Sequence, residues 1–513
     1  MAEDSFSGFL QSPSHQTKQV KRGSKGKRYA PTTCYRLDER VPILTENEKR
    51  EFAECDFPFE NLAFEGGGSK SMSYVGVIRV LEELGIMKNI KRFAGSSAGS
   101  IVATYSALGY DSYEIQELLG PNFSPLIYDG KWGIFGRLVN LVGKLGAHPG
   151  KKLERWIGDN VCNKTGGDRN FTFRQLYKER EGVELCIVGA DLNMMDAVYF
   201  HAKTTPKMPI YLAARASASI PAILKPVKFR QNYFVDGGLL CNYPVHAFDG
   251  WYLSMDREDN FFERLCKPNV SDQWDLSRRF GTVNKKTLGI LLFSASEQDT
   301  MKTDLDARVR KYAREVPSPD TKLKRKKEKS CDEKQASKEK IKDALVRLVN
   351  MLGHADADKS GTVSKYEFRQ SFKELSDDDI DILFNGVKHP DDIFKIIDTD
   401  NSGEIEYSEL VQLAGKRDVD LLQTLCGYER HEIKGITQLL GSLVDTVLLN
   451  VQRVTTRSSD FQRTIGINTQ YLEAFDWDME QEDKTFLIEC GKQATLGFLR
   501  EYISRQTSSS TNL

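Results

Sequence analysis

From Glu60 onward, short apolar runs alternate with stretches whose apolar residues recur three and four positions apart. Leu62-Ala63-Phe64 reads as a strand, Val75 to Leu84 as a helix, Phe93-Ala94 as a second strand and Ile101 to Leu108 as a second helix. That alternation predicts an α/β domain with a mostly parallel sheet, because parallel neighbours are joined by a crossover that is usually helical. Glu184 to Gly189, Tyr233 to Val235 and Thr287 to Phe293, each bounded by Gly or polar turn residues, supply further strands for the same sheet. Beyond Leu413 a helical period resumes through Leu421, Leu422, Leu425, Ile436, Leu439, Leu440, Leu443 and Val447, predicting a long helical region that ends near Ile503 before a Ser/Thr tail.

Two stretches break the pattern. Residues 1–30 are rich in Ser, Lys and Gly and hold Lys18, Lys21, Arg22, Lys25, Lys27 and Arg28 with no acidic residue among them, and residues 318–342 hold Lys322, Lys324, Arg325, Lys326, Lys327 and Lys329. Such stretches read as solvated tail and linker. Between residues 356 and 409 the balance inverts, with fifteen Asp or Glu against six Lys or Arg. The chain therefore divides into a basic flexible tail (1–50), the first part of an α/β domain (58–316), a basic linker (317–340), an acidic module (341–418), a helical closing part (419–504) and a disordered tail (505–513).

With 513 residues, 40% of them hydrophobic, the chain has room for two to four domains and can bury cores of ordinary size. Seventy-two Lys and Arg against 73 Asp and Glu give no overall pull toward nucleic acid. The nine Cys form no CxxC pair, which fits a reducing, cytoplasmic setting better than a disulfide framework or thiolate zinc site. No run of eighteen apolar residues and no secretory h-region is visible, so any membrane contact is expected to be peripheral.

The acidic module carries the most specific signal. A twelve-residue calcium loop needs oxygen ligands at positions 1, 3, 5 and 12, a backbone carbonyl at 7, and Gly at 6 where the chain turns around the ion. Asp356, Asp358, Ser360, Gly361, Thr362, Ser364 and Glu367 fill positions 1, 3, 5, 6, 7, 9 and 12 of one such loop; Asp398, Asp400, Ser402, Gly403, Glu404, Glu406 and Glu409 fill those of a second. Val363 and Ile405 at position 8 are the apolar type that lets two loops pair back to back. These residues resemble a paired EF-hand, which implies two Ca²⁺ sites, regulatory rather than catalytic.

Gly95-Ser96-Ser97-Ala98-Gly99 stands between a predicted strand and a predicted helix, the context of a nucleophile elbow, where a serine sits on a strained turn between small neighbours. Glu65-Gly66-Gly67-Gly68-Ser69-Lys70 ends another strand; its consecutive glycines let backbone N–H groups approach an anion, although a tight strand–helix turn has the same composition. Asp236-Gly237-Gly238, followed by Asn242-Tyr243-Pro244, offers an Asp at a strand end. Together with Ala216 to Pro221, these motifs stand in the order and spacing that resemble patatin-like phospholipases over about residues 60 to 300. The likeness resumes near Asp460 to Ile465 and Gly491 to Leu499, so that the calcium module looks like an insertion.

The resemblance implies a three-layer α/β hydrolase with a Ser97–Asp236 dyad, no catalytic His, and an oxyanion hole from Gly66, Gly67 and Gly68. A phospholipid or other acyl lipid is the implied substrate, with glycerophospholipid esters expected; acylglycerols, lysophospholipids and an inactive calcium-regulated lipid-binding adaptor are the alternatives. Lys70 departs mildly from the family, where Arg is common. A Ser–His–Asp triad through His246 or His431 is the rival arrangement. Residues 131–145, from Lys131 to Leu145, read either as an interfacial membrane-contact helix or as a buried connecting helix.

Overall fold

The computed structural model describes residues 40–130, 145–256, 276–297, 300–330, 333–356, 358–417, 442–443, 446–448, 450–451 and 454–510. The segment 131–145 (save Leu145), the basic tail through residue 39, His431 and the periodic positions Leu421 to Leu440 lie outside these residues.

Ten strands are present among the described residues: β1 (Asn61–Phe64), β2 (Arg92–Gly95), β3 (Glu184–Asp191), β4 (Asp196–Phe200), β5 (Val227–Phe229), β6 (Asn232–Asp236), β7 (Thr287–Phe293), β8 (Val363–Ser364), β9 (Glu404–Ile405) and β10 (Thr464–Asn468). Eight form one sheet in the order β10-β7-β1-β2-β3-β6-β5, with β4 also paired to β3. β10, β7, β1, β2 and β3 run parallel, whereas β4, β5 and β6 join antiparallel. Alternate residues of the parallel strands go to opposite faces. Leu62, Phe64, Leu288, Ile290, Leu292, Ile465 and Ile467 enter one core, and Ala63, Ala94, Cys186, Val188, Leu291 and Phe293 enter another. Both faces are covered, so these strands read as continuous apolar runs. This is the mostly parallel α/β architecture expected from the sequence.

The sheet is completed late in the chain. β10 pairs with β7 in parallel register, Gly289 opposite Thr464 and Ile290 opposite Ile465. Between the two in sequence, Ala344, Leu348, Phe368, Ile393, Phe394 and their neighbours form a separate core. Beyond β10 the closing helix, Gln481–Ser510, packs against the Ser73–Glu83 helix. Two glycines set that approach: a Cβ on Gly76 would lie 2.0 Å from the Ile488 carbonyl oxygen, and one on Gly491 2.0 Å from that of Ser73.

Several boundaries differ from the sequence reading. The expected tail ends before residue 50, because Glu46–Phe52 is a helix capped by Thr45 that buries Phe52. The expected linker is helical over Lys322–Ser330, and a second helix spans Glu333–Ala355. Distant contacts hold the first of these: Thr321 Oγ1 to Asp483 at 2.8 Å and Lys327 Nζ to Asp476 at 2.6 Å. β10 interrupts the region expected to be wholly helical, and the closing helix runs to Ser510, through part of the expected disordered tail.

Gly491→Ala tests the interhelical contact. A methyl facing backbone on a packed helix forces a shift that costs about 1–3 kcal/mol, so the melting temperature of a chain this long should fall by about 1–3 °C. An unchanged melt would show that the two helices are not held at this spacing.

Candidate active site and calcium loops

The elbow is built by close packing. A Cβ on Gly95 would lie 2.4 Å from the Gly99 carbonyl oxygen, and one on Gly99 2.3 Å from that of Glu65. Ser97, at the start of the Ser97–Ala107 helix, has a left-handed φ of 48°, a conformation costly for a side chain with a Cβ. Its N–H donates to Ser217 Oγ at 2.9 Å, and its carbonyl accepts from Ser100 Oγ at 2.6 Å.

Ser97 Oγ donates to Asp236 Oδ2 at 2.7 Å, and Gly238 N–H donates to the other oxygen, Oδ1, at 2.8 Å. Burial pushes the Asp236 carboxyl up to about 6; the bonds from Ser97 and Gly238 oppose that rise. The structure thus brings together the serine and aspartate singled out from sequence. His246 is placed elsewhere: its Nε2 lies 2.9 Å from the Tyr199 hydroxyl, its ring packs edge-on to Phe280, and burial lowers it to about 4, so it is neutral at pH 7.

The glycine loop differs in one respect from the expected oxyanion hole. Gly66 N–H donates to the Asn242 carbonyl at 3.0 Å and is therefore already used. Among the described residues, Gly67 and Gly68 N–H have no protein acceptor, and Ala98 N–H, in the first turn of its helix, has none within the helix. Gly68 adopts φ +54°, and a Cβ there would lie 2.0 Å from the Ala474 carbonyl oxygen. Ser69 N–H donates to that same carbonyl at 2.9 Å and Ser69 Oγ to Glu473 O at 2.8 Å, so the segment after β10 clamps the loop.

Two supporting groups, Glu65 and Asn242, stand in the quoted motifs but carry no role assigned from sequence. Asn242 Nδ2 donates to Gly66 O at 3.0 Å and to Glu65 Oε1 at 3.2 Å, tying the loop after β6 to the glycine loop. Glu65 Oε2 accepts from Leu292 N–H at 2.6 Å, and burial raises this carboxyl to about 7 despite Lys302 and Lys70 nearby. Lys70 is itself buried in an ion pair with Glu297 at 2.6 Å. Burial alone would raise Glu297, but Lys70 and Lys302 hold it at about 2.

Ser97, Ala98 and Gly68 line a narrow cleft walled mainly by apolar side chains such as Met72, Ile101, Phe123, Leu153 and Leu224. Trp477, Met479 and Lys484 complete the wall from the segment after β10. Among the described residues, Lys484 is the one charged residue lining it; its Nζ also donates to Gly120 O at 2.8 Å.

The two twelve-residue acidic loops share one backbone plan. Lys359 and Gly361 have φ of 57° and 83°, Asn401 and Gly403 of 59° and 83°. In each, the position-5 serine N–H donates to both preceding aspartates: Ser360 to Asp356 and Asp358 at 2.9 and 3.0 Å, Ser402 to Asp398 and Asp400 at 3.0 and 2.9 Å. β8 and β9 pair Val363 with Ile405. Carboxylate oxygens of Asp398, Asp400 and Glu409 lie within 4.8 Å of one another, which suits a divalent cation. Thr362 Oγ1 bonds Glu404 Oε2 at 2.5 Å across the pair. Ser364 and Glu406, the position-9 residues, cap the helices that leave the loops, pairing with Glu367 and Glu409 in capping boxes.

Residues 62–249 match the model of the patatin-like phospholipase family, and residues 391–414 match that of an EF hand. An uncharacterized protein of Bacillus subtilis is 31% identical over 203 residues, 38% of this chain and 67% of that protein. An uncharacterized protein of Acanthamoeba polyphaga mimivirus is 35% identical over 37% of this chain and 61% of its own length; a probable lipid hydrolase of Invertebrate iridescent virus 6 is 28% identical over 36% and 62%. The matches therefore span about three fifths to two thirds of these relatives. The chain belongs to the patatin-like phospholipase family.

Proposed function

We propose that this protein is a lipid acyl hydrolase that releases fatty acids from glycerophospholipid esters through Ser97 and Asp236. The observation that carries this reading is the 2.7 Å bond from Ser97 Oγ to a buried aspartate, at the mouth of an apolar cleft. Ser97 Oγ attacks the ester carbonyl carbon while its proton passes to Asp236; Gly67, Gly68 and Ala98 N–H groups are the donors available to the tetrahedral oxyanion. Collapse expels the alcohol, which takes the proton from Asp236, and leaves an acyl-serine. A water deprotonated by Asp236 then attacks that ester, and the fatty acid departs as Ser97 regains its proton. The relative named a probable lipid hydrolase supports this class of reaction. Lys484 in an otherwise uncharged wall favours a substrate with an anionic headgroup over a neutral acylglycerol.

The pH dependence has a defined sign. Protonated Asp236 cannot accept the serine proton, so kcat/KM should fall about tenfold per unit below the pKa near 6. Ser97→Ala and Asp236→Asn should each lower kcat at least about 1000-fold, while His246→Gln keeps the rate within about tenfold. The folded pKa of Asp236, about 6, lies above its ordinary value of 3.8. Its stabilising influence is therefore complete below the lower value and lost as pH rises through the higher one. Asp236→Asn should thus melt no lower than wild type at pH 7. An inactive, folded His246→Gln protein would overturn the dyad.

We further propose that both loops bind Ca²⁺, with Asp356, Asp358, Ser360, Thr362, Ser364 and Glu367 serving one ion and Asp398, Asp400, Ser402, Glu404, Glu406 and Glu409 the other. The shared loop geometry and the clustered carboxylates support this assignment. The ion's role is regulatory, because the loops belong to a core separate from the cleft. Calorimetric titration of the full chain should give two sites, and Glu409→Gln should abolish one of them by removing a charged bidentate ligand. Soluble-ester hydrolysis should survive chelation; its complete loss without unfolding would place the ion in the catalytic machinery.

A further inference from the structure

The basic helix Lys322–Ser330 has two dissimilar faces. Leu323 packs against the main core, and Lys327 donates to Tyr471 O at 2.8 Å and to Asp476 at 2.6 Å. Lys322, Arg325, Lys326 and Lys329 are exposed, and they stand at i, i+3, i+4 and i+7, the spacing that aligns side chains on one face of a helix. Lys326 and Lys329 have no ion-pair partner among the described residues. Lys322 pairs with Glu480 at 3.2 Å and Arg325 with Asp320 at 2.9 Å, both solvent-exposed pairs of the kind worth little in water. Glu328, 3.7 Å from Lys324, and Glu473, 3.4 Å from Lys327, are the other acids beside this face.

The helix is docked on the segment that completes the cleft. Lys322 N–H donates to Glu480 at 2.7 Å and Thr321 Oγ1 to Asp483 at 2.8 Å, within the stretch that sends Trp477, Met479 and Lys484 to the cleft wall. Phe475, on the same stretch, is 47% exposed. Four aligned cations, an exposed aromatic ring and an apolar entrance therefore share one contiguous piece of the molecule.

We propose that this cationic face docks the protein on an anionic lipid bilayer, bringing the cleft entrance to the membrane. The proposal rests on the lipid-hydrolase reading, since a nucleic acid would match the cations and could stack on the exposed ring but would not match the apolar entrance. Headgroup phosphates and carboxylates would replace Glu480 and Asp320 as partners of Lys322 and Arg325.

The test is vesicle co-sedimentation of the full chain, using phosphatidylcholine with or without about 30 mol% phosphatidylserine, at two salt concentrations. Binding should need the anionic lipid and weaken with salt. Each charge near the surface contributes roughly a fivefold change in partitioning, so Lys326→Ala with Lys329→Ala should lower it roughly 25-fold. Lys326→Arg with Lys329→Arg should bind as wild type. Hydrolysis of a soluble short-chain ester should be the same in all three proteins; its absence from wild type would count against the hydrolase reading and leave the sedimentation result to judge the surface. Equal binding by the double Ala variant, or equal binding to neutral vesicles, would overturn the proposal. So would tighter binding to single-stranded DNA that the same variant loses, which would assign the face to nucleic acid.

Discussion

Ser97 and Asp236 stand 139 positions apart in the chain, yet their side chains meet at 2.7 Å. That bond constrains much of the architecture around it. β2 must end at Gly95 so that the chain can turn through a left-handed Ser97 into its helix, and β6 must end at Asp236 close enough to reach it. β3 holds the two ends in place, paired to β2 through Ile187 and to β6 through Gly189. Glycine is demanded where backbones converge: a Cβ on Gly237 would lie 2.2 Å from the Val188 carbonyl oxygen. The burial that raises Asp236 to about 6 is a consequence of the same convergence, and it places the carboxylate near the affinity a base needs at neutral pH.

A second dependence runs through the end of the chain. The segment after β10 clamps Gly68 and Ser69, walls the cleft with Trp477 and Met479, and continues into the helix that packs on Ser73–Glu83. The glycine loop therefore takes its shape from residues about 400 positions away. The two acidic loops lie between β7 and β10 in sequence, and the Glu333–Ala355 helix that enters their core comes next in sequence after the basic helix docked against this segment. Any change in that core has a short covalent route to the cleft wall.

What could be read from the sequence follows from which features are local. Thr287–Phe293 was legible because a strand buried on both faces is apolar throughout, and the elbow because Gly95 and Gly99 bracket Ser97 within five residues. The two acidic loops were legible as turns of one plan because their oxygen-bearing residues and glycines recur at fixed offsets. β4, β5 and β10 are only three to five residues long and carry Asp, Lys, Gly or Asn, so neither period stands out in them. The basic helix read as linker because its anchors, Asp476 and Asp483, lie about 150 residues downstream. Gly66 was counted among the oxyanion donors because nothing local reveals that Asn242 takes its N–H. Glu65 and Asn242 acquire their meaning only when the ends of β1 and β6 are brought together.

The central claim is that Ser97 is the nucleophile and Asp236 its base. A long-chain alkyl phosphonate that forms a stable adduct with an activated serine, followed by peptide mass spectrometry, tests it most directly. The account predicts a single adduct on the peptide containing Ser97, formed more slowly as pH falls below about 6 and not formed on Asp236→Asn. An adduct on a different residue, or labelling of Asp236→Asn at the wild-type rate, would contradict it.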